Sequence, residues 1–329
     1  MHSIHLDRTE ITFDCAPGDT VLRAALRAGV GMSYSCNVGS CGNCRFELID
    51  GDVTHAREAP PAWSQKDRDR NRWLGCQAVP GRNCVVKFRP DPNAVPHIRP
   101  APRQAVLLRK TALNYDIMEF VFRVDGDPAF LPGQYALVQL ADCDGPRVYS
   151  MSNLGDDHEW HFQIRRVPGG AATSILFDRL QPGDSVALDG PYGLAYLRPE
   201  VPRDIVLIAG GSGLSPIGSL ARGALRSTDR NISIYFGGRG PADTEAARYL
   251  AMLDPTRIAL TMAISDTAQA QGWTGRQGFI HEIAIADLGE SLRDREIYFA
   301  GPAPMAQAIA GAMHALSVPR DQIHYDEFY

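Results

Sequence analysis

The chain has 329 residues, of which 44% are hydrophobic and 22% charged, a balance typical of a globular protein in water. Its net charge of −5 and its lack of a basic stripe argue against a nucleic-acid partner. No apolar run approaches the ~20 residues of a membrane-spanning helix, and the length predicts two or three domains.

Residues 1–89 predict a small mixed α+β domain. Residues 4–13 alternate apolar and polar side chains, as one half-buried strand does, and Asp19 and Thr20 are placed to cap a helix over residues 21–28. Further strands are expected at residues 45–49 and 83–88. This order of elements fits a β-grasp ferredoxin.

Four cysteines of this domain carry the strongest signal in the chain. Cys36, Cys41 and Cys44 stand at C-x4-C-x2-C spacing, and Cys76 follows later. This is the ligand pattern of a plant-type [2Fe–2S] cluster, which carries one electron at a time. Glycines inside the loop allow the backbone to curl and to aim N–H groups at the sulfurs.

A zinc site and disulfide bonds are the alternatives. Zinc sites usually offer two Cys pairs, or a pair with two spaced His, whereas here the second half is a single Cys. The chain begins without the features of a secretory signal, so we expect a reducing, cytoplasmic location without disulfides. Cys15, Cys84 and Cys143 are expected to be small core or strand residues.

A proline-rich segment predicts the clearest domain boundary. Its five prolines are Pro90, Pro92, Pro96, Pro100 and Pro102. Such a density favours an extended, semi-rigid connector with no core of its own. We place this linker at residues 90–102 and expect it to tether the first domain without holding it in one pose.

Residues 103–200 predict an antiparallel barrel or sandwich, because short apolar or alternating runs recur between Gly and Pro turns. Arg147, Tyr149 and Ser150 suit a flavin: a ring can lie against the isoalloxazine, a hydroxyl can bond its N5 edge, and arginine can neutralise a pyrophosphate. Taken alone, this motif is more typical of surface alternation.

Gly169 and Gly170 precede a predicted helical stretch over residues 175–180, with Thr173 in between. Free N–H groups at such a start favour an anion, although an ordinary turn and helix cap has the same pattern. Together, the two motifs favour a flavin site in this domain.

Residues 201–329 alternate apolar strands with helical stretches, the pattern of a parallel sheet with crossover helices. One strand runs into a turn that contains Gly210, Gly211 and Gly213. Pro216 stands at the expected first position of the next helix, where a G-x-G-x-x-G fingerprint has its third glycine. The turn therefore predicts a phosphate site only weakly.

Gly301 and Pro302 follow a later strand in the same way. Both loops are expected at the carboxyl ends of adjacent parallel strands, where ligands bind in open α/β sheets.

The order of these motifs resembles the reductase components of bacterial multicomponent oxygenases, in which a plant-type ferredoxin is fused to a ferredoxin–NADP reductase-like module. The resemblance covers essentially the whole chain. It is carried by Ile164-Arg-Arg-Val-Pro-Gly-Gly170, Gly190-Pro-Tyr-Gly193, Tyr235-Phe-Gly-Gly-Arg239 and Asp326-Glu-Phe-Tyr329.

The resemblance implies three cofactors and their sites. FAD is implied at Arg147, Tyr149 and Ser150, with Gly170 and Thr173 at its pyrophosphate. A nicotinamide dinucleotide is implied at Gly210, Gly211 and Gly213, with Gly301 and Pro302 nearby. Phe328, or the terminal Tyr329, is implied to cover the flavin where the nicotinamide enters.

Two positions bear on the coenzyme. Many relatives have a cysteine where this chain has Ala300, so no sulfur is offered to the nicotinamide. The resemblance implies NADH rather than NADPH. Arg239 could meet a 2′-phosphate but is also common in relatives that use NADH, and the nearby Asp243 would repel such a phosphate.

The implied function is electron transfer from NADH through FAD and the cluster to a Rieske-type ferredoxin or a terminal oxygenase in aromatic hydroxylation, by a monomer. Two alternatives remain. One is a reductase for a non-oxygenase acceptor such as a deoxysugar dehydratase, and the other is a redox sensor that binds the cofactors without turnover.

Overall fold

The computed structural model describes residues 1–156 and 158–328, which form two compact units. The first unit combines Met1–Arg103 with Ala136–Val148 and Ala187–Leu194, and the second takes the other described residues. Within these residues, no helix has the length and apolarity to cross a bilayer.

The N-terminal region forms a five-stranded sheet and a smaller two-stranded one. Its elements are β1 (His2–Leu6), β2 (Thr12–Cys15), α1 (Val21–Arg27), β3 (Arg45–Asp50), β4 (Val53–His55), α2 (Gln65–Asp69), β5 (Arg72–Leu74), β6 (Ala78–Pro80) and β7 (Cys84–Lys87). The larger sheet has the order β2-β1-β7-β3-β5, and β4 pairs with β6.

The prediction of one strand over residues 4–13 is wrong, because the chain reverses after Leu6 and β1 pairs antiparallel with β2. Arg8 adopts a left-handed φ of 59°, and the Thr9 hydroxyl donates to the Leu6 carbonyl at 2.8 Å. The alternation of side chains continues through this hairpin and hides the turn. The Thr20 cap is confirmed, since its hydroxyl accepts from the Arg23 N–H.

The proline-rich segment packs on the N-terminal region. The Asp91 N–H donates to the Gly31 carbonyl at 3.0 Å, and the Asp91 carboxylate accepts from the Ser33 hydroxyl at 2.9 Å. Ala94, in a short 3-10 turn, is fully buried. The segment is thus anchored to the N-terminal region at Asp91, whose N–H is a donor that proline lacks and whose carboxylate accepts a further bond.

The middle of the chain forms a six-stranded sheet of order β11-β10-β13-β8-β9-β12. Its elements are β8 (Ala101–Ala112), β9 (Ile117–Val124), β10 (Tyr135–Gln139), β11 (Arg147–Ser150), β12 (Glu159–Arg165), α3 (Ala171–Ser174), a π-helical turn (Ile175–Arg179) and β13 (Ser185–Tyr192).

This sheet nearly closes on itself. β9 pairs antiparallel with both β8 and β12. A bridge between Met151, directly after β11, and Phe162 of β12 joins the two edges. The predicted antiparallel β-barrel architecture is confirmed.

The C-terminal region is a six-stranded sheet of order β17-β16-β15-β14-β18-β19, in which every pairing is parallel. Its elements are β14 (Asp204–Gly210), α4 (Leu214–Ser227), β15 (Ile232–Gly238), α5 (Pro241–Thr244), β16 (Ile258–Ile264), β17 (Arg276–Gln277), α6 (Ile280–Leu288), β18 (Arg295–Pro302), α7 (Ala303–Ala315) and β19 (Ile323–Phe328).

Strand β14 lies between two hydrophobic cores. Ile205, Leu207 and Ala209 face the core that α4 covers, whereas Val206 and Ile208 face the core of α6 and α7. Burial on both faces explains why this strand is continuously apolar.

Two details of this region differ from the sequence prediction. A 3-10 turn (Gly211–Gly213) leads into α4, so Pro216 is the third helical residue and not the first. The apolar pattern does not predict β19, because charged Asp326 and Glu327 interrupt it. Parallel pairing with β18 forms this strand.

Candidate functional site

The four cysteines of the predicted cluster lie together as two thiol pairs. Backbone N–H groups define the pairs, because the N–H of Cys41 donates to Cys36 Sγ and the N–H of Cys76 donates to Cys44 Sγ. The N–H groups of Ser40 and Cys41 both lie 3.3 Å from Cys36 Sγ, and the Cys76 N–H lies 3.4 Å from Cys44 Sγ. Two pairs of sulfurs suit a cluster of two irons held by four thiolates.

A single ion fits this arrangement less well. Across residues 1–156 and 158–328, no group of three or more His, Cys, Asp or Glu side chains is placed to hold one metal ion. Structural zinc takes four ligands around one centre. All seven cysteines are free of disulfides.

A hydrogen bond between the thiols of Cys36 and Cys41 shifts the pKa values of these two groups in opposite directions. The bond from Cys41, helped by backbone N–H groups, lowers the pKa of Cys36 to about 6 against the effect of burial. The same bond raises the pKa of Cys41, and the bond with Cys44 raises the pKa of Cys76.

Two glycines shape the cysteine loop as the sequence indicates. Gly39 and Gly42 have φ of 83° and 79°. A Cβ at Gly42 would lie 2.3 Å from Nη1 of Arg45.

Arg45, which the sequence reading missed, fixes this loop from outside. It donates to the carbonyls of Gly42 and Ala62, both at 2.7 Å, and to Asp67 of α2 at 3.1 Å.

The other cysteines lie apart from the pairs. Cys15 and Cys84 are buried strand residues, as predicted. Cys143 is only partly buried in the turn between β10 and β11, so its prediction as a core or strand residue is wrong.

The predicted flavin residues Arg147, Tyr149 and Ser150 all belong to the four-residue strand β11. Ser150 is buried, and its carbonyl accepts from the Ser215 hydroxyl of α4 at 2.6 Å. Tyr149 is half-buried beside it. The Arg147 guanidinium donates to the carbonyls of Asp144 and Gly145, so it braces the turn before β11.

The second predicted flavin motif is a tight loop. The Thr173 hydroxyl bonds to the carbonyls of Val167 and Gly170 at 3.1 and 3.2 Å, and thereby closes the loop. Gly170 is packed against Thr173, whereas a Cβ at Gly169 would meet nothing within 4 Å. The loop therefore has an open outer side, which suits a bound ligand.

A cavity of about 580 Å³ opens at the carboxyl ends of the parallel strands. Residues at four strand ends line it: Gly210, Gly211, Gly237, Gly238, Ser265 and Pro302. Its size is within the usual range for a cofactor site. Strands β14 and β18 are adjacent, so the prediction that their two loops share one edge is confirmed.

Gly213 and Gly301 serve packing instead. A Cβ at Gly213 would lie 2.0 Å from the Ala300 carbonyl oxygen, and one at Gly301 would lie 2.5 Å from Cε of Met305. These glycines let the two loops and α7 approach closely.

Arg165 is the main residue of this cavity that the sequence reading missed. It forms ion pairs with Asp116 at 2.8 Å and with Asp243 at 3.0 Å. A Cβ at Gly211 would lie 2.7 Å from its Nη1, so the guanidinium lies against the glycine turn. The signal in the sequence was the pair Arg165-Arg166 at the end of β12, which does not reveal carboxylates distant in sequence.

Asp243 is the centre of this network. The Tyr115 hydroxyl donates to it at 2.5 Å and the Arg239 N–H at 2.7 Å. Although desolvation acts in the opposite direction, these bonds and the nearby Arg165 lower the pKa of Asp243. The carboxylate is therefore ionised and balanced by arginines, while the Arg239 side chain stays 65% exposed.

The C-terminal strand reaches the same edge of the sheet. Phe328 is in register with Pro302, and Asp326 with Ala300. The backbone thus places Phe328 beside the loop after β18. The alternative, Tyr329, lies outside the described residues.

Three family models match successive parts of the chain: a 2Fe-2S iron-sulfur cluster binding domain at residues 4–81, an oxidoreductase FAD-binding domain at 104–196 and an oxidoreductase NAD-binding domain at 207–311. These are the three predicted cofactors, in the predicted order.

Two curated relatives cover nearly the full length. The ferredoxin–NAD(P)(+) reductase CarAd of Metapseudomonas resinovorans is 37% identical over 319 residues, which is 96% of each chain. The reductase component of the naphthalene 1,2-dioxygenase system of Pseudomonas putida is 33% identical over 313 residues, covering 95% of this chain and 94% of its own.

A solved structure agrees with this result. The ferredoxin reductase in carbazole 1,9a-dioxygenase superposes with a TM-score of 0.92 at 33% identity, covering 100% of this chain and 98% of the other. The chain therefore belongs to the family of ferredoxin–NAD(P)+ reductases, iron–sulfur flavoenzymes that include the reductase components of oxygenase systems.

Proposed function

We propose that the protein transfers electrons from NADH through FAD and a [2Fe–2S] cluster to a Rieske-type ferredoxin or a terminal oxygenase in aromatic hydroxylation. The observation that carries this proposal is the pairing of Cys36 with Cys41 and of Cys44 with Cys76 in a chain that also has a cavity at the carboxyl ends of its parallel strands. These thiols are the proposed ligands of the cluster.

In this proposal, the NADH phosphates lie on backbone N–H groups of the loops after β14 and β18. Gly210, Gly211 and Pro302 line the cavity at these loops, and Gly213 and Gly301 hold them together. Arg165 adds a positive charge that Asp116 and Asp243 orient. Arginine held in this way suits a phosphate.

When bound, FAD supplies the step from hydride to single-electron transfer. Arg147 and Tyr149 are proposed to bind FAD, and Gly170 and Thr173 to shape the loop at its pyrophosphate. The Ser150 hydroxyl is proposed to bond to the flavin, and Phe328 to cover the position where the nicotinamide enters. These groups position the reactants and exclude water, and none of them is needed as an acid or base.

The similar solved structure belongs to a carbazole dioxygenase, and one of the two curated relatives belongs to a naphthalene dioxygenase system. The two systems act on different compounds, which supports the proposal that substrate choice lies in the partner proteins. We expect this protein to work in the cytoplasm as a monomer that meets its acceptor transiently.

The test compares two acceptors for NADH oxidation by the holoprotein. A small redox dye takes electrons directly from flavin, whereas cytochrome c or a candidate ferredoxin is expected to take them from the cluster. We expect Cys76→Ser to keep dye reduction and to lose most reduction of the protein acceptor.

Cys143→Ser is the matched control, because Cys143 lies outside both pairs, and it should keep both activities. If NADH reduces neither acceptor in the wild-type holoprotein, the reductase proposal is wrong and a sensor without turnover is favoured.

A further inference from the structure

We propose that Arg27 is a positioning residue, which holds the cluster-bearing region on strand β13 and so fixes the route of the electron from flavin to cluster. The inference rests on the proposed function and deepens it. Every residue that carries it belongs to the first compact unit.

Arg27 ends α1 and lies between two carboxylates from distant parts of the chain. Its guanidinium bonds to Asp19 at 2.5 Å and to Asp189 of β13 at 2.7 Å. The three side chains are only 24%, 16% and 18% exposed, respectively. Ion pairs withdrawn from water to this degree are far less screened by salt than surface pairs.

A second contact connects the same strand to the cysteine loop. The Gly193 N–H, directly after β13, donates to the Tyr34 hydroxyl at 2.9 Å. The rings of Tyr34 and Tyr192 meet edge to face with centroids 6.4 Å apart, and both are buried. Tyr34 stands two residues before Cys36. This contact therefore holds the backbone close to a proposed cluster ligand.

The proline-rich segment holds the stretch between Arg27 and Tyr34 from another side. A Cβ at Gly31 would lie 2.1 Å from the Asp91 carbonyl oxygen, so the two backbones touch. The Arg99 guanidinium lies 3.3 Å from a Cβ position on Gly29. A flexible tether would need none of these contacts, whereas a fixed pose requires them.

The two carboxylates have separable tasks. Asp19 belongs to the N-terminal region itself, so its bond to Arg27 stabilises the end of α1. Asp189 belongs to the strand of the FAD-binding part, so its bond joins this strand to α1. Removing Asp189 leaves Arg27 still paired with Asp19, and therefore breaks the attachment without leaving an unpaired charge.

The test is anaerobic rapid mixing of the holoprotein with NADH, which follows flavin and cluster absorbance separately. For Asp189→Leu we expect unchanged flavin reduction and cluster reduction slowed by about 10-fold to 100-fold, the scale of a misplaced reaction partner. Hydrogen exchange of residues 21–34 should accelerate while the spectrum of the oxidised cluster stays the same.

Asp50→Leu is the matched control, because it removes a carboxylate whose pair with Arg82 is 66% and 59% exposed in the same unit. This variant should change neither the rate of flavin reduction nor the rate of cluster reduction, and it should leave the hydrogen exchange of residues 21–34 unchanged. Tyr34→Phe, which removes the acceptor of the Gly193 N–H, tests the same attachment by a smaller change and should slow only the cluster phase.

Wild-type rates in both Asp189→Leu and Tyr34→Phe would overturn the inference, as would slowing of flavin reduction to the same extent. A wild-type protein whose cluster NADH does not reduce would instead contradict the proposed function itself.

Discussion

Gly211 and Gly213 are two residues apart and have different tasks. Gly211 has a φ of 57° and lies against Arg165 at the cavity. Gly213 permits close packing, because the main chain of β18 passes where a Cβ would be. From the sequence of a glycine-rich turn alone, one cannot tell whether a glycine makes room for a ligand or for another part of the main chain.

Gly213→Ala should therefore destabilise the NAD-binding part by about 1–3 kcal/mol or more, since the added methyl overlaps the Ala300 carbonyl. Thermal unfolding measures this effect. Gly311→Ala is the control: it lies in α7 with open space around its Cβ position, and we expect about 1 kcal/mol of stabilisation. Equal stability of the two variants would refute the packing role of Gly213.

Asp243 is expected to influence the choice of coenzyme through Arg239. Asp243→Asn removes the charge that pairs with Arg239 and opposes a 2′-phosphate. With roughly 1 kcal/mol per nearby charge, the ratio of kcat/KM for NADPH to that for NADH should rise about 5-fold. Glu245→Gln, an exposed residue paired with Arg248, should leave the ratio unchanged.

A fall in that ratio for Asp243→Asn would show that Arg239 is not the group that meets the phosphate.

Sequence predicts some residues of the site well and others not at all. Cys36, Cys41 and Cys44 belong to one tight loop, so their spacing in the sequence is enough to predict that they lie close together. The bonds of Arg165 to Asp116 and Asp243 join three separate elements, so no local pattern reveals them.

Helix α2 acts as a support for the cysteine loop. The Ser64 hydroxyl accepts from the Asp67 N–H, and the Asp67 carboxylate accepts from the Ser64 N–H. This capping box fixes the start of the helix. Asp67 also holds Arg45, which reaches the Gly42 carbonyl. A five-residue helix thereby braces the backbone between two proposed ligands.

Arg45→Met should shorten the lifetime of the cluster several-fold, because a charge-assisted hydrogen bond contributes roughly 1.5–3 kcal/mol. The decay of cluster absorbance in air measures this lifetime. Arg82→Met removes an arginine from an exposed pair and should have little effect. The bracing role is wrong if both variants decay at the wild-type rate.

Strand β5 depends on a histidine that must stay neutral. His55 accepts from the Leu74 N–H at 3.2 Å and lies between Trp63 and Trp73, with ring centroids 4.4 and 4.8 Å away. Burial, with a contribution from Arg68, lowers the pKa of His55 from 6.5 to about 4.

The His55 ring takes up a proton near pH 6.5 in the unfolded chain but only near pH 4 in the folded one. The stability of the N-terminal region should therefore fall as the pH drops from about 6.5 to 4. In His55→Leu this part of the pH dependence should be missing, although stability at pH 7 is lower. Cluster loss at pH 7 and at pH 5 is the measurement, with His5→Leu as the control. An identical acid sensitivity of wild type and His55→Leu would exclude His55 as the cause.

At the level of elements, the periodicity of apolar residues predicts a strand correctly when its surroundings stay the same along its length. Strand β9 occupies Ile117–Val124, as its apolar pattern indicates. The apolar pattern does not predict strand β19, because pairing with β18 forms it. Nor does it predict the packing of the proline-rich segment, which depends on the hydrogen bonds of Asp91 with Gly31 and Ser33.

In the whole molecule, the order of the cofactor domains follows the order of the motifs. The sequence correctly indicates cluster, flavin and nicotinamide parts, since each depends on local spacing. It does not indicate that the cluster-bearing region is held on β13, because that contact joins Arg27 to Asp189, which are far apart in the chain. The tether is thus supplemented by a specific attachment.

The most direct test of the central claim is an anaerobic titration of the holoprotein with NADH, followed by visible absorbance. Flavin takes two electrons and the cluster takes one, so complete reduction should consume about 1.5 NADH per chain and bleach both sets of bands. An end point at about one NADH with the cluster still oxidised would contradict the account, because it would mean that the flavin does not supply the cluster.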